Sequence, residues 1–433
     1  MNIFREEYDR KKRTAQELVS LFESGWTCTS DIALAIPCGI YDALEQRVRC
    51  GDITDITIHT MLELSPLGCY TPELSKKLKG ISWFSGAYAR KAVASGYGDI
   101  MPCYYHDMPE LFERYIEIDA FCAVVSPMDK DGYFCAFNGS NSSAMLKKAK
   151  HIFLEVNKNM PRVPGSSIIH VSQVSALCEN NVPLTVLHEK EPDDISTVIG
   201  NLIADEIPNG ATIQLGIGAI PEAVGRALVD KHNLGIHTEM FTDSMVELLK
   251  CGAADNSTKP INTGRSVAAF ALGSEKMYRF MDNNPSIQML PVNYTNDPRI
   301  ISKHPDMMSV NAALEVDFIG QVCAESIGRR HYSGTGGQVD FVRGAVASKG
   351  GKSFIAFPST TRDGKISKIK PTLSCGAIVT TGKNDVDHIV TEYGIAKLRG
   401  RTFSQRAKDL IAIAHPKFRD KLLYDAKQQH IIV

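Results

Sequence analysis

Apolar and polar positions alternate in blocks along most of the chain, with short apolar runs followed by amphipathic stretches. Residues 14–24 place apolar side chains at helical spacing behind Thr14, which predicts a helix with Thr14 as its N-cap. The same spacing predicts a helix from Ser404 to Ala414 with an apolar side. Four stretches predict strands broken by turns and short helices: 53–62, 98–112, 118–137 and 151–174. Strands that alternate with helices on this scale indicate largely parallel sheets.

One strand–turn–helix pattern occurs twice. The tripeptide AIP stands at 35–37 and again at 219–221, and each copy is followed by an Ala-Leu pair at the same distance. The first copy has Ile32 and Leu34 where the second has two glycines. We therefore expect the first copy to be the weaker cradle for an anion, because it lacks the residues that let a ligand approach the backbone.

The length of the chain predicts more than one domain. A chain of 433 residues is too long for one ordinary hydrophobic core. The stretch 182–196 is polar and contains prolines, which is typical of a linker. We expect two similar open α/β domains with mainly parallel sheets, residues 1–185 and residues 195–433.

The most informative stretch begins with a mostly apolar run, 211–215, that ends at Gly216 and Gly218. Pro221 then suits the first turn of a helix, and a strand, glycine turn and helix in this order direct backbone N–H groups at an anion. Glu239 follows on a second short strand. The spacing is like that of a dinucleotide fingerprint, but Pro221 stands where the third glycine belongs. A nicotinamide site and a plain βα turn with a surface glutamate both remain open on these residues.

A second glycine-rich run lies at 333–338. Residues 314–322 predict a strand that leads toward it, and the run has three glycines and no bulky apolar side chain. Such a loop lets backbone amides approach a ligand closely. A flexible turn and an anion cradle are both consistent with it. Lys368, further along, is on its own equally consistent with an ordinary solvated lysine and with a residue of a binding site.

Composition excludes several classes of protein. Lys and Arg (48) nearly balance Asp and Glu (49), and no basic block suggests a nucleic-acid groove. No apolar run approaches the ~20 residues that cross a bilayer, and the charged first residues do not resemble a signal peptide. The 11 cysteines are dispersed and form no C-x-x-C, which argues against a disulfide framework or a metal site. We expect a cytoplasmic protein that binds neither membrane nor nucleic acid.

Four segments together resemble one family. They are GIGAIPEAV (216–224), LGIHTEMFTD (234–243), the GTGG loop (334–337) and the C-terminal stretch 384–418. The sequence is similar to the acetyl-CoA hydrolase/transferase family of class I CoA-transferases, above all to its 4-hydroxybutyrate and butyryl-CoA:acetate CoA-transferases. The family has a doubled α/β fold, which fits the repeat described above. One departure is Ser244, where the family pattern has glycine. The stretch after Glu239, FTDSMVELLKCGAA, predicts a helix with Asp243 or Ser244 as its cap.

The resemblance also implies the site residues. Glu239 corresponds to the nucleophilic glutamate of the family. Coenzyme A is expected between the two glycine loops, with Lys368 near its phosphates and Leu314 packed nearby. The residues expected to bind CoA or substrate are Gln214, Gly216, Ile217, Gly218, Ala219, Ile220, Leu314, Gly336, Gly337, Gln338 and Lys368.

The implied reaction is the transfer of CoA between a short-chain acyl-CoA and a carboxylic acid through a glutamyl-CoA thioester. We expect 4-hydroxybutyrate with acetyl-CoA or butyryl-CoA; butyryl-CoA:acetate transfer and acyl-CoA hydrolysis are the alternatives within the family. A non-catalytic nucleotide-binding module is the alternative from another class. No permanent cofactor and no metal are expected, because acyl-CoA is itself the substrate. The family suggests a homodimer or a homotetramer.

Overall fold

The computed structural model of the chain describes residues 3–165, 167–187 and 191–432. The helices are α1 (Ile3–Lys11), α2 (Ala15–Val19), α3 (Cys38–Cys50), α4 (Ala87–Ala94), α5 (Met108–Tyr115), α6 (Ser142–Lys148), α7 (Asp194–Asp205), α8 (Ala219–Ala227), α9 (Asp243–Lys250), α10 (Glu275–Met281), α11 (Val292–Thr295), α12 (Pro298–Ile301), α13 (Gln338–Ala347), α14 (Phe403–Ala412) and α15 (Pro416–Gln428). In the part of the chain that is described, no helix is both long and apolar enough to cross a membrane.

The strands are β1 (Thr27–Thr29), β2 (Ile56–Thr60), β3 (Leu78–Ser82), β4 (Asp99–Ile100), β5 (Ala120–Val125), β6 (Tyr133–Cys135), β7 (His151–Val156), β8 (Ile168–His170), β9 (Ala176–Glu179), β10 (Thr212–Leu215), β11 (Gly235–Phe241), β12 (Ser266–Ala271), β13 (Ile287–Met289), β14 (Met307–Ala312), β15 (Glu315–Asp317), β16 (Val322–Cys323), β17 (Ser326–Ile327), β18 (Arg330–His331), β19 (Lys352–Ala356), β20 (Ile369–Lys370), β21 (His388–Thr391) and β22 (Gly394–Lys397).

The residues form two compact units by their internal contacts. The N-terminal unit is Met1–Leu187 with Ala268–Tyr294, and the C-terminal unit is His188–Val267 with Thr295–Val433. The expected C-terminal domain, 195–433, thus includes a segment that groups with the N-terminal unit. Hydrogen bonds explain this grouping, because the N–H of Arg162 donates to Asp282. The expected linker, 182–196, contains the first change of unit, and its residues 188–190 lie outside the described part.

The N-terminal unit contains a seven-stranded parallel sheet in the order β4-β3-β2-β1-β5-β7-β9. The chain places β2 on one side of β1 and β5 on the other. Helix α2 packs close to α3 and begins at Thr14, whose hydroxyl accepts the N–H of Glu17. This confirms the predicted N-cap. The helix is shorter than the predicted stretch 14–24, because it ends at Val19.

The C-terminal unit is built on strands in the order β11-β10-β14-β19-β21-β22. They are parallel except for β22, which pairs antiparallel with β21. Strands β10, β14 and β19 are buried along nearly all their length, as expected when helices cover both faces of a parallel sheet. The predicted α/β fold with mainly parallel open sheets is therefore confirmed.

The carboxyl end of β10 is a topological switch point. The chain leaves β10 for β11 on one side and reaches β14 on the other side only later. In open α/β sheets, ligands bind in the crevice that such a reversal leaves at the carboxyl ends of the strands. The loop from Gly216 to Gly218 lies at this position, between β10 and α8.

Two local predictions were wrong. Residues 314–322 do not form one strand, because the chain turns at Gly320 (φ 89°) and returns as an antiparallel pair of β15 with β16. Helix α9 begins after Thr242, not at an Asp243 or Ser244 cap. Ser244 is inside that helix, so its backbone needs no glycine. A Cβ added at Gly225 would lie 2.7 Å from the Ser244 Cβ. The glycine that this contact needs is therefore Gly225 on α8, and not residue 244 on α9.

Candidate active site

Glu239 lies in β11 near the carboxyl edge of the sheet. Thr212 pairs with Gly235 and Ile213 with Ile236, so the following residues of β11 carry Glu239 to the level at which β10 ends. The strand continues to Phe241, two residues beyond Glu239. Glu239 is the one residue of β11 that is not fully buried. Its carboxylate is thus held in a rigid strand and still reaches accessible space.

Two N–H donors hold the Glu239 carboxylate. The side-chain Nδ2 of Asn296 donates to Oε2 at 2.6 Å, and the backbone N–H of Gly337 also donates to the carboxylate. A Cβ added at Gly337 would lie 1.8 Å from Oε2, so only glycine allows this approach. Asn296 is placed by the start of α12, where Asp297 caps the helix and Pro298 begins it.

The surroundings of Glu239 favour its neutral form. Burial raises the pKa of Glu239 to about 7, the hydrogen bond from Asn296 opposes this rise, and the negative charge of Asp340 adds to it. Asp340 is only 1% exposed and lies in the first turn of α13, with its Oδ2 3.4 Å from the Asn296 Nδ2. The carboxylate is therefore poorly solvated when ionised, which makes it a stronger nucleophile than a glutamate in water.

The first glycine loop borders the same edge of the sheet. Gly216 donates its N–H to Val310 of β14, and Gly218 (φ 119°) is the N-cap of α8, with no side chain that caps the helix. Gln214 at the end of β10 is buried and exchanges amide hydrogen bonds with Asn311. Three further residues expected at the site continue the loop into α8: Ile217, which is exposed, Ala219, which is half-buried, and Ile220, which is buried.

The second glycine loop ends at α13. Gly336 has φ 58°, a conformation that favours glycine, and Gly337 is the N-cap of the helix. Gln338 was expected in the loop but is the first residue of α13. Its side chain donates to the carbonyl of Ala312 at 2.8 Å and accepts from Thr381 at 2.9 Å. Gln338 therefore fastens the loop to the end of β14, and its amide group is occupied within the protein.

Leu314 and Lys368 lie just before two neighbouring strands, β15 and β20. Val316 pairs with Ile369 in parallel register, and its N–H donates to the carbonyl of Lys368. Both Leu314 and Lys368 are half-buried. Burial lowers the pKa of Lys368, and the nearby charge of Glu392 opposes that shift. All the expected site residues thus belong to the C-terminal unit. The first glycine loop follows the carboxyl end of β10, whereas Lys368 precedes β20.

Comparison with known proteins identifies the family. Residues 1–188 match the acetyl-CoA hydrolase/transferase N-terminal domain and residues 273–426 match the corresponding C-terminal domain. The chain is 43% identical to a succinyl-CoA:cyclohexane-1-carboxylate CoA transferase of Geobacter metallireducens, over 99% of this chain and 98% of the relative. The chain belongs to the acetyl-CoA hydrolase/transferase family. The predicted resemblance is therefore confirmed, and the chain is a CoA-transferase by family.

Two further relatives agree with this assignment. A 4-hydroxybutyrate coenzyme A transferase of Clostridium kluyveri is also 43% identical, over 98% of each chain. The crystal structure of RipA from Yersinia pestis superposes with a TM-score of 0.95 at 38% identity, and the match covers 99% of this chain and 100% of that one.

Sequence reasoning missed two residues that lie at the candidate site, Asn296 and Asp340. Asn296 is 57 positions from Glu239 and precedes an Asp-Pro helix start, which gave no sign of a catalytic neighbour. Asp340 did carry a signal, because it is the single carboxylate of α13 and lies in the first turn of that helix. A buried charge in such a helix needs a specific partner or a function.

The raised pKa of Glu239 predicts an acid limb in the pH profile of this CoA-transferase. With Glu239 as the nucleophile, only its ionised form can attack, so kcat/KM should fall about tenfold per unit well below pH 7. Asp340→Asn removes the charge that helps raise the pKa, so the limb should move to lower pH. Asp387→Asn is the control, since Asp387 lies just before β21, which is separated from β11 by three strands of the sheet. A limb that is unchanged in Asp340→Asn would contradict this electrostatic account.

Proposed function

We propose that this protein transfers CoA between a short-chain acyl-CoA and a carboxylic acid through a thioester on Glu239. The observation that carries the proposal is the Glu239 carboxylate itself, which belongs to the one residue of β11 that is not fully buried and is held by Asn296 and the Gly337 N–H. A carboxylate so held needs no general base, only alignment and donors for the oxyanion.

The proposed reaction passes through two covalent intermediates on Glu239, a mixed anhydride and a thioester. An Oε atom of Glu239 attacks the thioester carbonyl, the C–S bond breaks, and a CoA thiolate and a mixed anhydride result. The thiolate then attacks the Glu239 carbonyl carbon, which releases the first acid and leaves the glutamyl thioester. The incoming carboxylate repeats these steps in reverse.

The donors on Glu239 suit the second of these steps. When the thiolate attacks the Glu239 carbonyl carbon, negative charge develops on the Glu239 oxygen. Asn296 Nδ2 and the Gly337 N–H already donate to that carboxylate before the reaction. Donors placed in advance where charge develops are worth more than donors that must reorganise.

For the substrates, we propose 4-hydroxybutyrate as acceptor with acetyl-CoA or butyryl-CoA as donor. The 4-hydroxybutyrate coenzyme A transferase among the relatives supports this pair. The equally identical relative that acts on succinyl-CoA and cyclohexane-1-carboxylate supports a second candidate pair. Butyryl-CoA:acetate transfer and simple hydrolysis remain outcomes of the test.

The test measures the consumption of three donor acyl-CoAs: acetyl-CoA, butyryl-CoA and succinyl-CoA. Each donor is assayed with no acceptor and with acetate, butyrate, 4-hydroxybutyrate, succinate or cyclohexane-1-carboxylate, and the new acyl-CoA is identified by mass. We expect consumption of the donor acyl-CoA to require a carboxylate, with one new acyl-CoA formed for each donor consumed, and the highest kcat/KM with 4-hydroxybutyrate. Equal loss without any acceptor would identify a hydrolase. Preference for cyclohexane-1-carboxylate would overturn the substrate assignment and leave the transferase mechanism standing.

We also propose that CoA binds between the two glycine loops, with Lys368 near its phosphates. Lys368→Ala should raise KM for acyl-CoA about tenfold or more and leave KM for the carboxylate nearly unchanged, because a phosphate contact is lost far from the reacting carbon. Lys365→Ala is the matched control, since that lysine lies three residues earlier and its side chain is 79% exposed. Equal damage to both substrates, or none, would count against this placement.

A further inference from the structure

A buried pair of histidines lies beside Glu239 in the C-terminal unit. His237 precedes Glu239 by two residues on β11, so the two side chains leave the same face of the sheet. His237 is fully buried, and its Nε2 lies 2.7 Å from the carbonyl oxygen of Thr295. Its other nitrogen, Nδ1, lies 3.2 Å from Nε2 of His304.

The protonation states follow from burial and geometry. Burial lowers the pKa of His237 well below its usual range and that of His304 to about 3, so both rings are neutral at near-neutral pH. Nε2 of His237 then donates to the Thr295 carbonyl, and Nδ1 accepts from Nε2 of His304. The remaining nitrogen of His304, Nδ1, carries no proton in this tautomer, and it has no hydrogen-bond partner among the described residues. Each ring is thus held in one tautomer.

The same short segment contacts β11 at two places. Thr295 is held by His237, and the next residue, Asn296, donates to Glu239 at 2.6 Å. Side chains two positions apart on the strand therefore bind two consecutive residues of the segment. A shift of the Thr295 carbonyl would move the Asn296 amide away from the Glu239 carboxylate.

We propose that His237 is a positioning residue, which fixes the Thr295 carbonyl and through it sets the Asn296 amide against Glu239. This inference rests on the proposed role of Glu239 as nucleophile and deepens it. The ionisable groups that face this region are Asp340 from α13, His304, and Lys259, whose ammonium donates to the carbonyls of Ile236 and Arg265.

The test compares two substitutions of His237. His237→Phe keeps a ring and removes the donor to Thr295, whereas His237→Gln keeps an N–H donor at a position close to that of Nε2. We expect His237→Phe to lower kcat about 10- to 100-fold, because sub-ångström misplacement is costly to alignment. The acid limb of kcat/KM should move to higher pH, because the hydrogen bond that lowers the pKa of Glu239 is weakened. His237→Gln should recover most of the rate and return the limb toward its wild-type position.

Two controls separate positioning from loss of structure. His388→Leu removes another buried histidine, in β21 of the same sheet, which three strands separate from β11. This variant should lower Tm without moving the acid limb. In an Asn296→Ala background, His237→Phe should move the limb no further, because its effect passes through Asn296. If His237→Phe does not fold, His237→Leu takes its place, and the Gln variant is informative in either case.

Three results would overturn the inference: an unmoved limb in His237→Phe, a Gln variant as impaired as the Phe variant, or an additive shift in the Asn296→Ala background. The CoA adduct that the wild-type protein forms with acyl-CoA is measured by mass in parallel. An adduct on Glu239 with unaffected His237 variants would defeat the positioning role alone. Absence of the adduct would defeat the proposed function instead.

Discussion

Glu239→Gln should leave at most about one thousandth of the wild-type CoA-transfer activity. The amide keeps the shape of the side chain but cannot form the anhydride or the thioester. Loss of covalent catalysis should raise the barrier by about 4 kcal/mol or more, and each ~1.36 kcal/mol is a factor of ten in rate. The measurement is kcat with acetyl-CoA and a saturating carboxylate.

The folded state of this variant should be intact, which makes the loss interpretable. The pKa of Glu239 is raised in the folded protein, so ionisation of the wild-type residue destabilises the fold as pH rises toward and above 7. Glu239→Gln should therefore have a Tm at pH 8 equal to or above that of the wild type. CoA binding should survive, because both glycine loops are unchanged. A variant that still transfers CoA at a tenth of the wild-type rate would exclude Glu239 as nucleophile.

Gly337→Ala should lower activity at least about 100-fold with little loss of stability. The added methyl would lie 1.8 Å from Glu239 Oε2 and 2.3 Å from Asn296 Nδ2. Both clashes are with the ends of side chains and not with backbone, so the glutamate can move aside at small cost to folding. It cannot move aside and remain aligned with the thioester, and alignment dominates the rate. The measurements are kcat, KM for acyl-CoA, and Tm.

Gly382→Ala is the matched control for this substitution. A Cβ at Gly382 meets no heavy atom within 4 Å, and its backbone is not in the left-handed region. It makes the same chemical change in the same unit, so activity should stay close to that of the wild type. If Gly337→Ala is as active as Gly382→Ala, the close approach of Gly337 to Glu239 has no catalytic importance.

The sequence predicted the elements whose signals are local. The apolar run before Gly216 and the helical spacing after Pro221 gave β10 and α8, and the capping residue Thr14 gave the start of α2. Glu239 was found through the segment around it and its resemblance to a family. In each case the neighbouring residues carry the whole signal, so no tertiary information was needed.

The features that were missed depend on contacts between distant residues. Asn296 meets Glu239 only because the start of α12 is brought against β11, and periodicity does not report such a meeting. The break of residues 314–322 at Gly320 was concealed by the buried apolar residues on both sides of the turn. The grouping of 268–294 with the N-terminal unit is likewise a property of long-range contacts.

The most direct test of the central claim is the mass of the protein after incubation with acyl-CoA alone. The wild type should gain the mass of CoA on the peptide that contains Glu239, and hydroxylamine should remove it because thioesters react with that nucleophile. Glu239→Gln should gain nothing under the same conditions. An adduct on one of the cysteines, or an equal adduct on Glu239→Gln, would contradict the account.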